Sequence, residues 1–244
     1  MGFPNVLRVE ADGRKGGIWL CWDAQAFRVE VLSACFQHLT FKVSSASAQP
    51  WILTAVYASP RHNLQRFLWN SIFGSSEEIE LPWLLTGDFN TIKDPSEQAG
   101  PATPDIYRRC KRFSDRISQA KLIDLGFSGP RFTWTRGDTP SSDKASCIDR
   151  SLCNAAWNAV FPDSTVNHLP QLHSDHHPLL TRLVVLIGVS LRLLETREFT
   201  PLLFLVLLSL RVLGLLTSLI ILSCLIVGTL RSLCRKLSKI WPAS

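Results

Sequence analysis

Two short strings contain the residues best suited to chemistry. The first is Gly87-Asp88-Phe89-Asn90, which follows an apolar run, and the second is Ser174-Asp175-His176. A phosphodiester resists hydrolysis because its anionic centre repels a nucleophile and its alkoxide is a poor leaving group. A divalent cation held by carboxylates counters both effects, and a histidine oriented by a carboxylate can move the proton of water near neutral pH. The two strings therefore predict metal-assisted hydrolysis of a phosphodiester.

The elements that position these residues follow from hydrophobic patterning. Residues 81–85 form an apolar run too short for a helix, which predicts a buried strand that delivers Asp88 at its end. Apolar spacing predicts helices over 64–72, 106–120 and 155–160. Aromatic and β-branched runs predict strands at 17–22, 27–32, 39–43, 51–57, 122–125, 132–134, around Ile148 and at 178–182, the first four as an antiparallel meander. The predicted fold class is α+β, a layered α/β sandwich with largely antiparallel pairing.

A change in composition near Arg182 divides the 244 residues. After this point 20 of 62 residues are leucine, and seven of the eight tryptophans lie before it. We therefore expect a domain over residues 1–182 and a Leu-rich hydrophobic tail over residues 183–244. Residues 212–230 carry no charge and are long enough for a transmembrane segment followed by basic residues. A displaced reading frame would give a similar composition, and we favour that explanation.

The distribution of charge and the positions of the cysteines limit which partners and which cellular compartment we expect. The net charge is +6, and the tail accounts for most of it with 7 basic and 2 acidic residues. The domain is therefore nearly neutral, and any affinity for DNA must come from a local basic patch. The candidate patch is the polar side of the second helix, with Arg108, Arg109, Arg112 and Arg116, which is either a solvated face or a track for DNA phosphates. Seven scattered cysteines are typical of buried thiols in a reducing compartment. We expect an intracellular protein, nuclear or cytoplasmic, that is membrane-associated if the tail inserts.

Four ordered motifs resemble those of a known superfamily. They are Leu84-Leu85-Thr86-Gly87-Asp88-Phe89-Asn90, Phe132-Thr133-Trp134, Ile148-Asp149-Arg150-Ser151-Leu152 and His173-Ser174-Asp175-His176-His177-Pro178. Together they resemble the endonuclease/exonuclease/phosphatase superfamily and, within it, the endonuclease domain of plant LINE-type (non-LTR) retrotransposons. The resemblance covers residues 2–182. It implies two packed, mostly antiparallel β-sheets flanked by helices, DNA as substrate, Mg²⁺ or Mn²⁺ as the metal, and no small-molecule cofactor.

The resemblance also implies roles for residues of the first motif and one earlier strand. Asp88 would orient or deprotonate the attacking water, or protonate the leaving group. Asn90 would hold the scissile phosphate or the water. Tyr57, at the end of a predicted strand, would donate to the phosphate, although a purely structural role in the core is an equal alternative.

The later motifs supply the remaining implied roles. His176 would contact the phosphate and act as acid or base, with Asp149 orienting it, and Asp175 would assist metal binding. Asp149 could instead pair with Arg150 or Arg131 at the surface. His173-x-x-His176 could in principle bind zinc, but no third ligand stands at a recognised spacing.

The resemblance has one departure that concerns activity. In the family an asparagine and a metal-binding glutamate stand on the first strands. The Gly2-Phe3-Pro4-Asn5 segment of this sequence matches a part of the family's domain that lies beyond both, and Glu10 is not a credible replacement. We therefore expect a domain without these first strands and with weak or absent activity. The alternatives are a catalytically inactive remnant or binding module, and a tail-anchored membrane phosphodiesterase or phosphatase of the same superfamily.

Overall fold

The computed structural model describes residues 5–9, 17–22, 24–46, 48–100, 104–136, 144–171, 174–184, 206–210 and 218–223. Its strands are β1 (Asn5–Val9), β2 (Ile18–Trp22), β3 (Arg28–Cys35), β4 (His38–Ser44), β5 (Trp51–Tyr57), β6 (Trp83–Asp88), β7 (Gln98–Ala99), β8 (Ile123–Asp124), β9 (Trp134–Arg136), β10 (Lys144–Ser146), β11 (Asp149–Cys153), β12 (Thr165–His168), β13 (Leu179–Val184), β14 (Val206–Leu210) and β15 (Ser218–Ser223). Its α-helices are α1 (Gln65–Glu78), α2 (Ile106–Gln119) and α3 (Ala155–Val160), and a 3₁₀ turn spans Pro95–Glu97.

The main sheet has the strand order β3-β4-β5-β6-β11-β8. Its central pair, β5 and β6, is parallel, and α1 provides the crossover that a parallel pair requires. Both strands are buried along almost their whole length because both faces of the sheet are covered. On one face, Val56 and Leu85 pack against Trp69 of α1 and Phe113 of α2.

The second sheet has the order β1-β2-β14-β15-β13-β12 and packs on the other face of the main sheet. Leu20 from β2 and Leu183 from β13 meet Phe41, Leu53 and Leu84 of the main sheet in one continuous core. Most strand pairs in both sheets are antiparallel, with β5–β6 and β2–β14 as the parallel exceptions. The predicted α+β sandwich of two packed, mostly antiparallel sheets is therefore confirmed.

The predicted meander differs from the structure at its first strand. β2 does not continue into β3 but pairs with β1 and β14 in the second sheet. Only β3, β4 and β5 form consecutive antiparallel neighbours before the chain enters α1. The alternation of apolar residues marks each strand but does not specify which of two sheets it joins, because both sheets bury one face in the same core.

The tail contributes two strands to the second sheet. β13 runs to Val184, and β15 pairs with it over six residues, from Leu179↔Ser223 to Val184↔Ser218. The described part of the predicted transmembrane segment, Ser218–Ser223, is thus a β-strand rather than a helix, and the rest of that segment lies outside the described residues. No helix in the described ranges is long and apolar enough to cross a membrane. A charge-free apolar run fits a buried strand as well as a membrane helix, because both need apolar side chains.

Candidate active site

Three neighbouring strands of the main sheet align three of the predicted site residues. In the strand register Tyr57 at the end of β5 faces Asp88 at the end of β6, and Asp88 faces Asp149 at the start of β11. Directly paired residues project from the same face of a sheet. Tyr57 packs at the edge of the core between the two sheets, so this row of side chains lies at the end of that core.

Gly87 sets the end of β6. Its φ is +137°, which essentially only glycine adopts. A Cβ at this position would collide with the carbonyl oxygen of Val56 on β5. The close approach of the two backbones at Gly87 therefore fixes where Asp88 emerges.

Asn90 holds the Asp88 carboxylate in place from both sides. Its backbone N–H donates to Oδ1 of Asp88 at 2.6 Å, and its side-chain Nδ2 donates to Oδ2 at 2.6 Å. The same Nδ2 also donates to the carbonyl oxygen of Ala58 at 2.8 Å. Asn90 has a positive φ of 48°, a conformation that asparagine tolerates better than most residues. Asp88 is thereby fixed relative to the loop that follows β5.

His176 is bonded to Asp149. The distance from His176 Nδ1 to Asp149 Oδ2 is 3.0 Å, and both side chains are almost completely buried. The surface pairing of Asp149 with Arg150 or Arg131 is therefore not formed, and Asp149 stands where it can orient the histidine, as the motif resemblance implied. The other possible zinc ligand, His173, lies outside the described residues.

Thr133 and Trp134 hold the two later motifs together, although the sequence had suggested no role for either. Thr133 Oγ1 accepts the N–H groups of Ile148 and Asp149, each at 3.0 Å. The backbone of Trp134 forms an isolated antiparallel β-bridge with His176, and the Trp134 Nε1 donates to Oδ2 of the exposed Asp175 at 3.0 Å. The Phe132-Thr133-Trp134 motif was the available signal, but only the fold shows that it lies beside the histidine.

Burial and neighbouring charges shift the acidity of the site. Burial raises the pKa of Asp88 well above its ordinary value, and the Asp149 carboxylate raises it further, while His176 and the Asn90 N–H oppose the change. Burial alone would lower the pKa of His176, but Asp149, its hydrogen bond, Asp88 and Asp175 raise it to about 9. The imidazole is therefore cationic at neutral pH in this arrangement.

A divalent cation fits the donor set. One ligand atom from each of Asp88, Asp149 and His176 can be chosen so that all lie within 4.8 Å of one another. Because a protonated histidine cannot bind a metal, the two carboxylates would be the ligands. Two carboxylates this close in a buried site repel each other, and a cation would relieve that repulsion. Oxygen ligands of this type suit Mg²⁺, which keeps several waters or substrate oxygens. Asp175, at the exposed side of the site, would add a further carboxylate.

A buried ionic cluster supports the strand that carries Asp149. Arg150, only 5% exposed, donates to Asp124 and to Glu97, each at 2.6 Å. Lys93 also pairs with Asp124 at 3.2 Å. Burial alone would raise the pKa of Asp124, but Arg150, the Gly126 N–H and Lys93 together hold it below its ordinary value. The cluster fastens β11 to β8 and to the 3₁₀ turn.

The four arginines of α2 separate into two groups. Arg108 is highly exposed and pairs with Asp105 at 3.5 Å. Arg109, Arg112 and Arg116 instead line a shallow pocket between α2 and the start of α1. The buried face of the helix consists of Ile106, Cys110, Phe113 and Ile117, as the apolar spacing predicted.

Comparison with known proteins identifies the fold. No protein-family model matches the sequence, and no curated protein matches it either. Among solved structures, the chain is similar to the endonuclease domain of TRAS1, a telomere-specific non-LTR retrotransposon, with a TM-score of 0.52, 13% sequence identity, and coverage of 70% of this chain and 77% of that one. Weaker matches are the catalytic domain of Xenopus laevis APE2 (TM-score 0.43, 17% identity, 59% and 54% coverage) and an endonuclease/exonuclease/phosphatase family protein from Leptotrichia buccalis (0.44, 11%, 71% and 69%). The similarity to the TRAS1 domain shows that this chain shares the fold of that domain, a layered α+β sandwich.

Proposed function

We propose that this protein is a metal-dependent phosphodiesterase that cleaves DNA and derives from a LINE-type endonuclease. The observation that carries the proposal is the buried group formed by Asp88, Asp149 and His176, with Asp175 beside it. These residues come from three of the four ordered motifs. The similarity to a retrotransposon endonuclease domain supports the same substrate class.

The charges of these side chains suggest a role for each of them in hydrolysis. His176 is held protonated by Asp149, so it can donate to a phosphate oxygen or to the departing alkoxide. Asp88, oriented by Asn90, faces the same space and can position the attacking water. Tyr57, beside Asp88 in the strand register, can donate to the phosphate. Mg²⁺ or Mn²⁺, when bound by Asp175 and the neighbouring aspartates, would supply Lewis-acid stabilisation of the phosphate charge.

We propose that hydrolysis is slow. Within the described residues, the group that could hold a metal consists of Asp88, Asp149 and His176, and no glutamate belongs to it. The metal would thus be held by few carboxylates, and one of these, Asp175, already accepts a hydrogen bond from Trp134. A binding module without catalysis is the second candidate, because both oxygens of Asp88 already accept hydrogen bonds from Asn90.

Nicking of supercoiled plasmid by the full chain tests the proposal. With protein in excess, we expect slow nicking in Mg²⁺ or Mn²⁺, none in EDTA, and loss of the signal in Asp88→Asn. Asp115→Asn is the matched control, because Asp115 lies on the exposed side of α2 and pairs only with Lys111 there. Nicking that survives in Asp88→Asn would contradict the assignment of the site. Absence of nicking together with retained DNA binding would favour the binding module.

We also propose that the protein is nuclear or cytoplasmic. All five described cysteines are free thiols, as expected in a reducing compartment. A nuclear or cytoplasmic site would also give access to nucleic acid.

A further inference from the structure

A basic pocket lies on the helix side of the main sheet, behind the loop that carries Asn90. Its lining includes His62 and Gln65 at the start of α1, Thr91, and Arg109, Arg112 and Arg116 of α2. The space measures about 270 Å³ when its open mouth is included. It is distinct from the catalytic group, which lies at the end of the core between the two sheets.

The arginines of this pocket have no acidic partner within the described residues. The ion pairs of the carboxylates on α2 and at its start are with other residues, Asp105 with Arg108 and Asp115 with Lys111, although the charge of Asp105 also raises the pKa of His62. Arg109 Nε is buried and has no hydrogen-bond partner. A buried donor without a partner is energetically unfavourable, and a bound anion would satisfy it.

Like charges accumulate in the pocket. Burial lowers the pKa of Arg116, and the adjacent Arg112 lowers it further. Burial also lowers the pKa of His62, and the charge of Arg109 lowers it further. Three guanidinium groups therefore face one space beside the His62 imidazole, and an oxyanion bound there would relieve the repulsion between the guanidinium groups. Guanidinium groups match the geometry of phosphate oxygens particularly well.

The pocket is connected directly to the catalytic loop. Gln65 Nε2 donates to the carbonyl oxygen of Ser59 at 3.0 Å and to Thr91 Oγ1 at 3.2 Å. Thr91 lines the pocket, while its neighbour Asn90 holds the catalytic Asp88. The pocket and the candidate site therefore share the loop over Asn90 and Thr91, and the proposed DNA substrate carries phosphates along its whole length.

We propose that Arg109, Arg112 and Arg116 with His62 form a phosphate-binding subsite for the nucleic-acid backbone outside the catalytic centre. The subsite rests on the proposed DNA substrate. It positions the strand and carries no sequence information, because it contacts phosphate oxygens only. Arg108, which is paired with Asp105, is not part of it.

The test combines DNA binding with a phosphate titration of the full chain. Binding of a labelled duplex is measured in EDTA by fluorescence anisotropy at several salt concentrations. Replacing the exposed Arg112 in Arg112→Gln should weaken binding several-fold and reduce the salt slope by about 1. Arg66→Gln, an exposed arginine on α1 stacked over Phe67, removes the same charge outside the pocket and should leave the slope unchanged.

A second measurement separates the sources of phosphate. Titration with inorganic phosphate, followed by the ring NMR signals of His62, should give a saturable shift that is absent in Arg112→Gln. If phosphate shifts His62 but Arg112→Gln and Arg66→Gln have the same salt slope, the pocket binds free phosphate and the backbone subsite is wrong. Absence of any His62 shift overturns the subsite as well. If wild-type protein does not bind the duplex at all, the proposed DNA function itself fails.

Discussion

At the scale of single residues, the site depends on side chains whose charge is set by burial and by neighbouring charged groups. His176 and Asp149 form a hydrogen-bonded pair away from solvent, and Asp88 is held by two donors from one asparagine. Buried charges of this kind are stable only when they are paired and hydrogen-bonded. The same rule governs the Arg150 cluster, which anchors the strand that begins with Asp149.

Asp124→Asn tests the contribution of that cluster. The substitution removes one of the two carboxylates bonded to the buried Arg150, so we expect the free energy of unfolding at pH 7 to fall by about 1–3 kcal/mol. Because the folded-state pKa of Asp124 lies below its ordinary value, its stabilisation is present above about pH 4 and is lost as the pH falls through the folded-state pKa. The difference between wild type and variant, measured by urea denaturation, should therefore shrink on acidification.

The exposed Asp163 provides the control for this experiment. Asp163→Asn should leave the free energy of unfolding close to that of wild type at each pH. A destabilisation by Asp124→Asn that stays constant down to pH 3 would contradict an electrostatic role for the cluster.

At the scale of elements, the end of β6 positions Asp88, the proposed catalytic aspartate. The parallel pair β5–β6 brings Val56 against Gly87, and the absence of a side chain at Gly87 permits the contact. The 3.0 Å bonds from the Ile148 and Asp149 N–H groups to Thr133 fix the start of β11 in a comparable way.

Gly87→Ala should disturb both stability and the site. The positive φ and the collision with the Val56 carbonyl should lower the free energy of unfolding by at least about 2 kcal/mol. DNA cleavage should fall as well because Asp88 moves with the strand end. Gly74→Ala in α1 is a matched control, since no atom lies within 4 Å of the added Cβ, and it should stabilise the protein by about 0.5–1 kcal/mol. Equal unfolding midpoints for the two variants would contradict this role of Gly87.

At the scale of the whole molecule, the second sheet joins strands from both ends of the described chain. β14 pairs in parallel with β2, and β15 connects it to β13. Without these two strands, β2 and β13 would each present an unpaired edge, and such edges promote aggregation. The hydrophobic tail thus takes part in the sandwich.

Truncation tests this structural role of the tail. A chain that ends at residue 184 loses β14 and β15, and with them the six-residue pairing to β13. We expect the free energy of unfolding to fall by at least about 2 kcal/mol, since each backbone hydrogen bond makes a net contribution of about 0.5–1.5 kcal/mol to stability. A chain that ends at residue 223 keeps both strands and should unfold close to wild type. Identical denaturation curves for the two truncated chains would contradict the pairing.

The sequence predicted most of the elements and the fold class because their signals are local. The apolar stripe of α2 and the buried run before Asp88 each lie within a few consecutive residues. Pairings between distant segments have no such signal. The assignment of β2 to the second sheet, the strand at Ser218–Ser223 and the Thr133 bonds to β11 depend on contacts across the chain.

For the candidate site, too, the sequence predicted what local motifs indicate and missed what depends on contacts between distant segments. The motifs led to Asp88, Asn90, Asp149 and His176, and the fold brings them together. The Arg150 cluster and the division of the α2 arginines were not predicted. A run of arginines on a helix does not show which of them find acidic partners, as Arg108 does, and which are left facing one pocket.

The most direct test of the central claim compares two adjacent histidines. The measurement is the rate at which the full chain nicks supercoiled plasmid with Mn²⁺ or Mg²⁺, for wild type, His176→Gln and His177→Gln. His176 is bonded to Asp149, whereas the ring of His177 is bonded to the Leu169 carbonyl. We expect a slow metal-dependent rate that falls by about 10²-fold in His176→Gln and stays near wild type in His177→Gln. A wild-type rate that is unaffected by EDTA, or equal rates in the two variants, would contradict the assignment of a phosphodiesterase centre to Asp88, Asp149 and His176.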